Sequence, residues 1–177
     1  MSRVLRRLLL TVAFAGLFVL AWTRIPATVW YRDRRPTRAG RATNRFMGRF
    51  AASGLPSFGM VSLEVPGWKS GTSRETSTVL VLARHEGSEY LVSMLGEGAL
   101  WVRNVRAAGG RAVLRHGSPR AVRLVEVPVH ERAPILRAYL DVAPGGRPHI
   151  PVARGAALEE FERVAADFPV FRVEPLA

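Results

Sequence analysis

The sequence has no cysteine and a single lysine, Lys69, among its 26 basic residues. Disulfides, thiolate metal sites and cysteine nucleophiles are therefore excluded. An absence of cysteine suits either side of a membrane. Acidic residues are scarce too, 14 against those 26, which leaves a formal net charge of +12. Such a surplus points to an anionic partner: nucleic acid, acidic lipid or a polyanionic small molecule. There is no Walker loop, no GxGxxG after a strand, no HExxH and no nucleophile elbow. His85, His116, His130 and His149 lack metal-ligand spacing. No segment repeats. The preference for arginine over lysine fits codon bias as well as function. What is present is a chain of 177 residues, 48% hydrophobic, enough for one domain with a core and a tail.

The uncharged run Leu8 to Trp22 would be about 22 Å long as a helix, against a hydrocarbon core of ~30 Å. A cleaved signal peptide would need a small-x-small site, and none precedes Arg24. An interfacial helix would be one-faced, whereas this run is apolar all round. A spanning anchor over residues 1–31 works if Arg7 and Arg24 snorkel and the helix continues toward Trp30 and Tyr31. We adopt that reading. Arginines are denser after the run (Arg24, Arg32, Arg34, Arg35, Arg38, Arg41) than before it (Arg3, Arg6, Arg7). The positive-inside rule then keeps the main domain cytoplasmic. Residues 32–57 read as a basic linker with a short docking helix, on which Phe46, Met47 and Phe50 form one apolar edge. The segment serves as a solvated connector, or adheres to anionic headgroups at about 1 kcal/mol per basic residue.

From Phe58 the texture is β-rich. "FGMVSLEVPG" alternates, and "TSTVLVLARH" and "SEYLVSML" flank a hairpin signal. "ALWVRNVRAAGG" is a short helix stopped by Gly109 and Gly110. "RAVLRHG" and "PRAVRLVEVP" pair around "HGSP". Helices follow over "VHERAPILRAYLDVA" and "GAALEEFERVAADF", with "PGGRPHIP" as a loop between them and "PVFRVEP" as the last strand. Six strands without βαβ alternation predict a mainly β fold with flanking helices (α+β), a small barrel over residues 58–177.

"PGWKSGTSRE" links the first two of these strands, so it belongs at a barrel rim. Gly67 and Gly71 permit a close backbone turn, whose N–H groups can form an anion nest. Lys69 adds a point charge, Ser70 a hydroxyl and Arg74 a planar fork. A plain exposed β-turn has the same composition. Further on, "WVRN" opens a helix beside glycines, a ready anion site. Trp101 within it reads equally as core packing.

The ordered set "GWKSGTSRE", "YLVS" with "GEG", "LWVRNVRAAGG", "LRAYL" and "FPVFRVEP" resembles the deazaflavin-dependent nitroreductase family, over residues 58 to 175. The resemblance implies a split β-barrel of the pyridoxamine-phosphate-oxidase type. It implies coenzyme F420 as cofactor, with FMN or haem as the lesser alternatives. Quinone-like or nitro acceptors, a membrane location and a homodimer are compatible with it. By the family pattern Trp68, Lys69, Ser70, Gly71 and Arg74 line the cofactor's phosphate and tail. Thr76, Ser77 and Ser93 approach the ring, and Trp101 and Asn104 match the following W-x-x-N. Ser73 and Ser77 stand where the family has proline, Met94 where a basic residue is common, and Val79 at an aromatic position. Ser93, Tyr139 and His149 are the candidate proton donors, beside bulk water. The resulting expectation is a membrane-associated F420-dependent oxidoreductase. A non-catalytic cofactor-storage module is the alternative. Nucleic-acid binding is disfavoured, because much of the excess charge precedes residue 50.

Overall fold

The computed structural model describes residues 27–32, 35–53, 59–65 and 78–176. Of the anchor expected over residues 1–31, residues 1–26 lie outside them, as do Trp68, Lys69, Ser70, Gly71, Arg74, Thr76 and Ser77. Among the described residues no helix is long and apolar enough to cross a membrane.

A helical turn at Ala27–Trp30 leads into a two-residue ladder, Tyr31↔Pro36 and Arg32↔Arg35. Helix α1, Arg38–Ala52, follows. Thr37 caps it, its Oγ accepting from the Gly40 amide at 3.0 Å and donating to Val29 O at 2.7 Å. The rest of the chain alternates strands and helices: β1 Met60–Glu64, β2 Thr78–His85, β3 Ser88–Val92, α2 Leu100–Ala107, β4 Arg111–His116, β5 Ser118–Glu126, α3 Arg132–Val142, α4 Leu158–Val164 and β6 Val170–Pro175.

The six longer strands close an antiparallel barrel in the order β1-β2-β3-β6-β5-β4, with β4 returning to β1. This architecture, with its flanking helices, fits a split-barrel fold. Period-two alternation divides the strands between two clusters. Val61, Leu63, Leu82, Leu91, Leu114 and Val122 belong to one, which fills the barrel. Helix α2 plugs its end with Trp101, Val102 and Val105. The opposite faces of β2 and β3, through Ala83, Tyr90 and Val92, pack against α3, α4 and the Phe168–Val170 approach to β6.

Local chemistry sets the turns. β2 and β3 join through Glu86 and Gly87, both at positive φ (47° and 75°), the pair that a tight primed hairpin requires. The glycines expected to stop α2 do so at φ 60° and 82°. Gly110 also lets β5 approach, since a Cβ there would sit 2.6 Å from Leu124 O.

Helix α1 differs from expectation. Its buried residues are Gly40, Gly48 and Ala51, while Met47 and Phe50 of the expected apolar edge are half-buried. Gly40 lets the helix close against the Trp30 carbonyl, and the C-terminal end of the helix reaches the barrel. Gly117 N donates to Ala52 O at 3.0 Å, and His116 Nδ1 lies 3.3 Å from Ala51 O. Phe46 falls on the far face and is 66% exposed.

Candidate functional site

One rim of the barrel gathers three connections. β1 ends there at Glu64, and β2 begins there at Thr78, paired with Leu63. β3 ends at Val92 opposite Val170, where β6 begins. β4 begins at Arg111, and Glu126 of β5 pairs with Phe171. The chain from Val65 to Thr78, the turn and helix between β3 and β4, and the long connection between β5 and β6 therefore all leave and rejoin the barrel at this end.

Ser93 sits at the centre of the rim, 1% exposed. Its amide donates to Pro169 O at 2.9 Å and its hydroxyl to Gly96 O at 2.8 Å. The hydroxyl thus locks the turn that launches α2. That helix begins with no side-chain cap at Ala99 and no acidic residue in its first turn. Its leading N–H groups therefore carry the positive end of the helix dipole without a side-chain cap.

Trp101 is 6% exposed and tilted against Phe171, ring centroids 5.4 Å apart at 60°. Asn104, one helical turn on, is 1% exposed. Ser93, Trp101 and Asn104 all lie in the connection between β3 and β4, where they are close in sequence. Tyr139 and His149 belong to another. Tyr139 is buried in the outer cluster, where its ring lies so close to Gly146 that a Cβ there would sit 2.5 Å from Cε1. His149 is half-buried three residues past Gly146, to whose carbonyl its amide donates at 3.0 Å. Met94 packs on the outer cluster, and Val79 stands opposite Ser62 on β2.

The rim is fastened by an ion network that sequence reasoning did not find. Arg106 of α2 donates to Glu97 at 2.6 and 3.0 Å and to Glu126 at 2.8 and 2.6 Å. Those bonds, to Glu126 first and then Glu97, raise the Arg106 pKa further above its ordinary range. The Arg106 hydrogen bond holds the Glu97 carboxyl below its usual value against a smaller opposing effect of burial. Glu126 also receives Arg132 Nη2 at 3.0 Å, and Arg132 Nε donates to Val127 O at 2.9 Å. Helix α2, strand β5 and helix α3 are so tied at one point. Its partners are up to 20 residues apart, so no local pattern announces them.

The rim's charge suits a polyanion. Arg111 and Arg123 stand directly opposite in the β4–β5 ladder, and neither forms an ion pair among the described residues. Like charges so placed repel, and Glu174, opposite Arg123 in the β5–β6 ladder, offsets part of that repulsion. A bound anion would relieve that repulsion.

No protein-family profile and no curated protein matches the chain. Solved structures do. A protein of unknown function from Agrobacterium tumefaciens superposes with a TM-score of 0.50 at 13% identity, over 77% of this chain and 57% of that one. The chain thus spans little more than half of that neighbour's length, and at this identity the likeness is one of fold. An F420-H2-dependent reductase matches with a TM-score of 0.45 at 20% identity, over 66% of this chain and 94% of that one. A haem-binding protein from Mycobacterium smegmatis matches with a TM-score of 0.45 at 16% identity, over 71% of this chain and 50% of that one.

Proposed function

We propose that the chain is a coenzyme F420-dependent oxidoreductase, tethered to a membrane by its N-terminal run with the barrel on the cytoplasmic side. When bound, the cofactor supplies a hydride for an electron-poor acceptor such as a quinone or a nitro compound. The observation that carries this reading is topological. Val65 and Thr78, the two attachment points of the Lys69–Arg74 segment, share one rim with Ser93, the start of α2 and the Arg111–Arg123 pair. The family-like motifs are far apart in sequence, and their attachment points converge in space. Lys69 and Arg74 would hold the cofactor's phosphate and tail by charge-assisted bonds. Uncapped N–H groups of α2 would add to that field.

The membrane part rests on the apolar run Leu8–Trp22 and on α1. Arg38, Arg41, Arg45 and Arg49 are exposed on that helix around Phe46. No acidic residue lies within it.

A second reading, a carrier that binds the cofactor without turnover, is favoured by the state of two candidate donors. The Ser93 hydroxyl is committed to Gly96 O, and Tyr139 is 4% exposed. In the reductase reading, bulk water or His149 supplies the proton.

Fluorescence titration with F420, with FMN and haem alongside, tests the cofactor. Lys69→Ala and Arg74→Ala should each weaken F420 binding by about 1.5–3 kcal/mol. Unchanged affinity in both variants removes these side chains from the site. Menadione reduction with reduced F420 then separates the readings, because a carrier binds without turnover.

A further inference from the structure

The opposite mouth of the barrel has a different character. Val61, Leu82 and Leu114 are the last apolar inward residues there. Two residues beyond Leu82 and Leu114 come Arg84 and His116; Glu89 stands opposite Arg84, and Arg120 opposite Leu114. These are the next inward positions by strand alternation, and all are polar or charged. Together they border a cavity of ≈ 510 Å³ with an apolar floor and a charged rim. Its size lies in the range of small-molecule sites, roughly 300–1,000 Å³.

The rim charges do not balance. Arg84 Nη2 donates to Glu89 Oε1 at 3.2 Å, and Arg120 Nη2 donates to Glu89 Oε2 at 2.6 Å. Two guanidiniums share one carboxylate, and the surplus positive charge stands over the apolar floor. Burial pushes the Glu89 carboxyl up, but the bonds from Arg120 and Arg84 outweigh it and hold it below its usual value. The carboxylate is therefore a fixed brace between the two arginines. The arginine side chains stay open to solvent, 79% and 50% exposed, so their other N–H edges can receive a ligand. Guanidinium groups match carboxylates with two parallel bonds.

We propose that this mouth binds a small amphipathic carboxylate. Its apolar tail would enter against Val61, Leu82 and Leu114, and its headgroup would meet Arg84 and Arg120. The site lies at the other end of the barrel from the proposed cofactor rim and does not depend on that reading.

Equilibrium dialysis of labelled octanoate tests it, using the full chain in neutral-lipid nanodiscs with empty discs subtracted. The expected result is saturable binding of one octanoate per chain. Octanol and sulfate, carrying the tail and an anion separately, should compete at least tenfold more weakly than octanoate. Arg120→Gln should lower affinity tenfold or more, and Lys69→Ala should leave it unchanged. If Arg120→Gln fails to fold by circular dichroism, Arg84→Gln carries the same expectation, because its side chain is mostly in solvent. Binding no greater than to empty discs overturns the proposal. So does binding indifferent to the folded arginine variant, or equal competition by sulfate. Binding lost in Lys69→Ala would move the site to the other rim and equally sink it. Failure of F420 to bind would leave these outcomes untouched.

Discussion

A guanidinium that is 5% exposed must replace its water shell with protein, and Arg132 does so with four acceptors. These are Val127 O at 2.9 Å, Glu126 Oε1 at 3.0 Å, Ala165 O at 3.4 Å and Phe168 O at 3.5 Å. The carbonyls belong to chain entering α3 and leaving α4, so one side chain holds both ends of the helical layer. Arg132→Ala should destabilise the fold by about 3–5 kcal/mol, as buried ionic partners do when one is removed. Urea unfolding followed by circular dichroism measures it, and a loss within 1 kcal/mol would show that water replaces the guanidinium. Arg111 presents the opposite case. Its ladder partner is Arg123, so Arg111→Glu turns a repulsive pair into an attractive one. That variant should gain roughly 0.2–1 kcal/mol in the same assay while weakening F420 binding. A gain in stability with unchanged cofactor affinity would remove this pair from the tail site.

Helix α2 has eight residues, too short to be stable alone. It is held by Trp101, Val102 and Val105 in the barrel and by Arg106 between Glu97 and Glu126. The Glu97 carboxyl is held below its ordinary value of 4.5, chiefly by the Arg106 bond. A depressed carboxylate stabilises the fold above its unfolded-state pKa, and that contribution is lost as pH falls through the folded-state pKa. Stability should hold from neutral pH to about pH 5 and decline below the usual carboxylate range. Arg106→Gln should flatten the decline, read as the urea midpoint at pH 7, 5 and 3. An equal decline in both proteins would assign the acid sensitivity to other carboxylates. The elements themselves were legible because their signals are local. Alternation, the glycine pair after α2 and the turn residues at 86–87 each act within a few residues. On helix α1 the apolar edge divides, with Met47 and Phe50 half-buried and Phe46 exposed, while the fully buried positions Gly40, Gly48 and Ala51 are small residues that no apolar pattern marks. The Glu97–Arg106–Glu126–Arg132 network was not legible because closure of the barrel brings its members together. For the candidate site, the sequence motifs named Ser93, Trp101 and Asn104, and the fold shows them in one connection. It did not reveal that the Ser93 hydroxyl is spent on its own turn.

At the scale of the whole molecule, the barrel contains its own core, and among the described residues α1 joins the N-terminal part to it. Thr37 N donates to Trp30 O at 3.0 Å, and Gly40 approaches the same carbonyl closely. The boundary for a truncation therefore falls before residue 27, not at the end of the apolar-aromatic stretch. Deleting residues 1–26 should leave the unfolding midpoint unchanged, because every described residue of the two clusters is kept. It should also separate two membrane contacts. The full chain should float with both neutral and anionic vesicles, through the apolar run. The truncated chain should leave neutral vesicles yet stay on phosphatidylglycerol vesicles, through Arg38, Arg41, Arg45 and Arg49 around Phe46. Each of these arginines contributes about 1 kcal/mol near an anionic surface, and salt weakens the sum. Arg41→Glu, Arg45→Glu and Arg49→Glu together should abolish this residual binding without moving the unfolding midpoint, since all three side chains are exposed. Retention on neutral vesicles after truncation would locate the tether outside the first 26 residues. Release from both vesicle types would make α1 a packing helix and leave the apolar run as the tether.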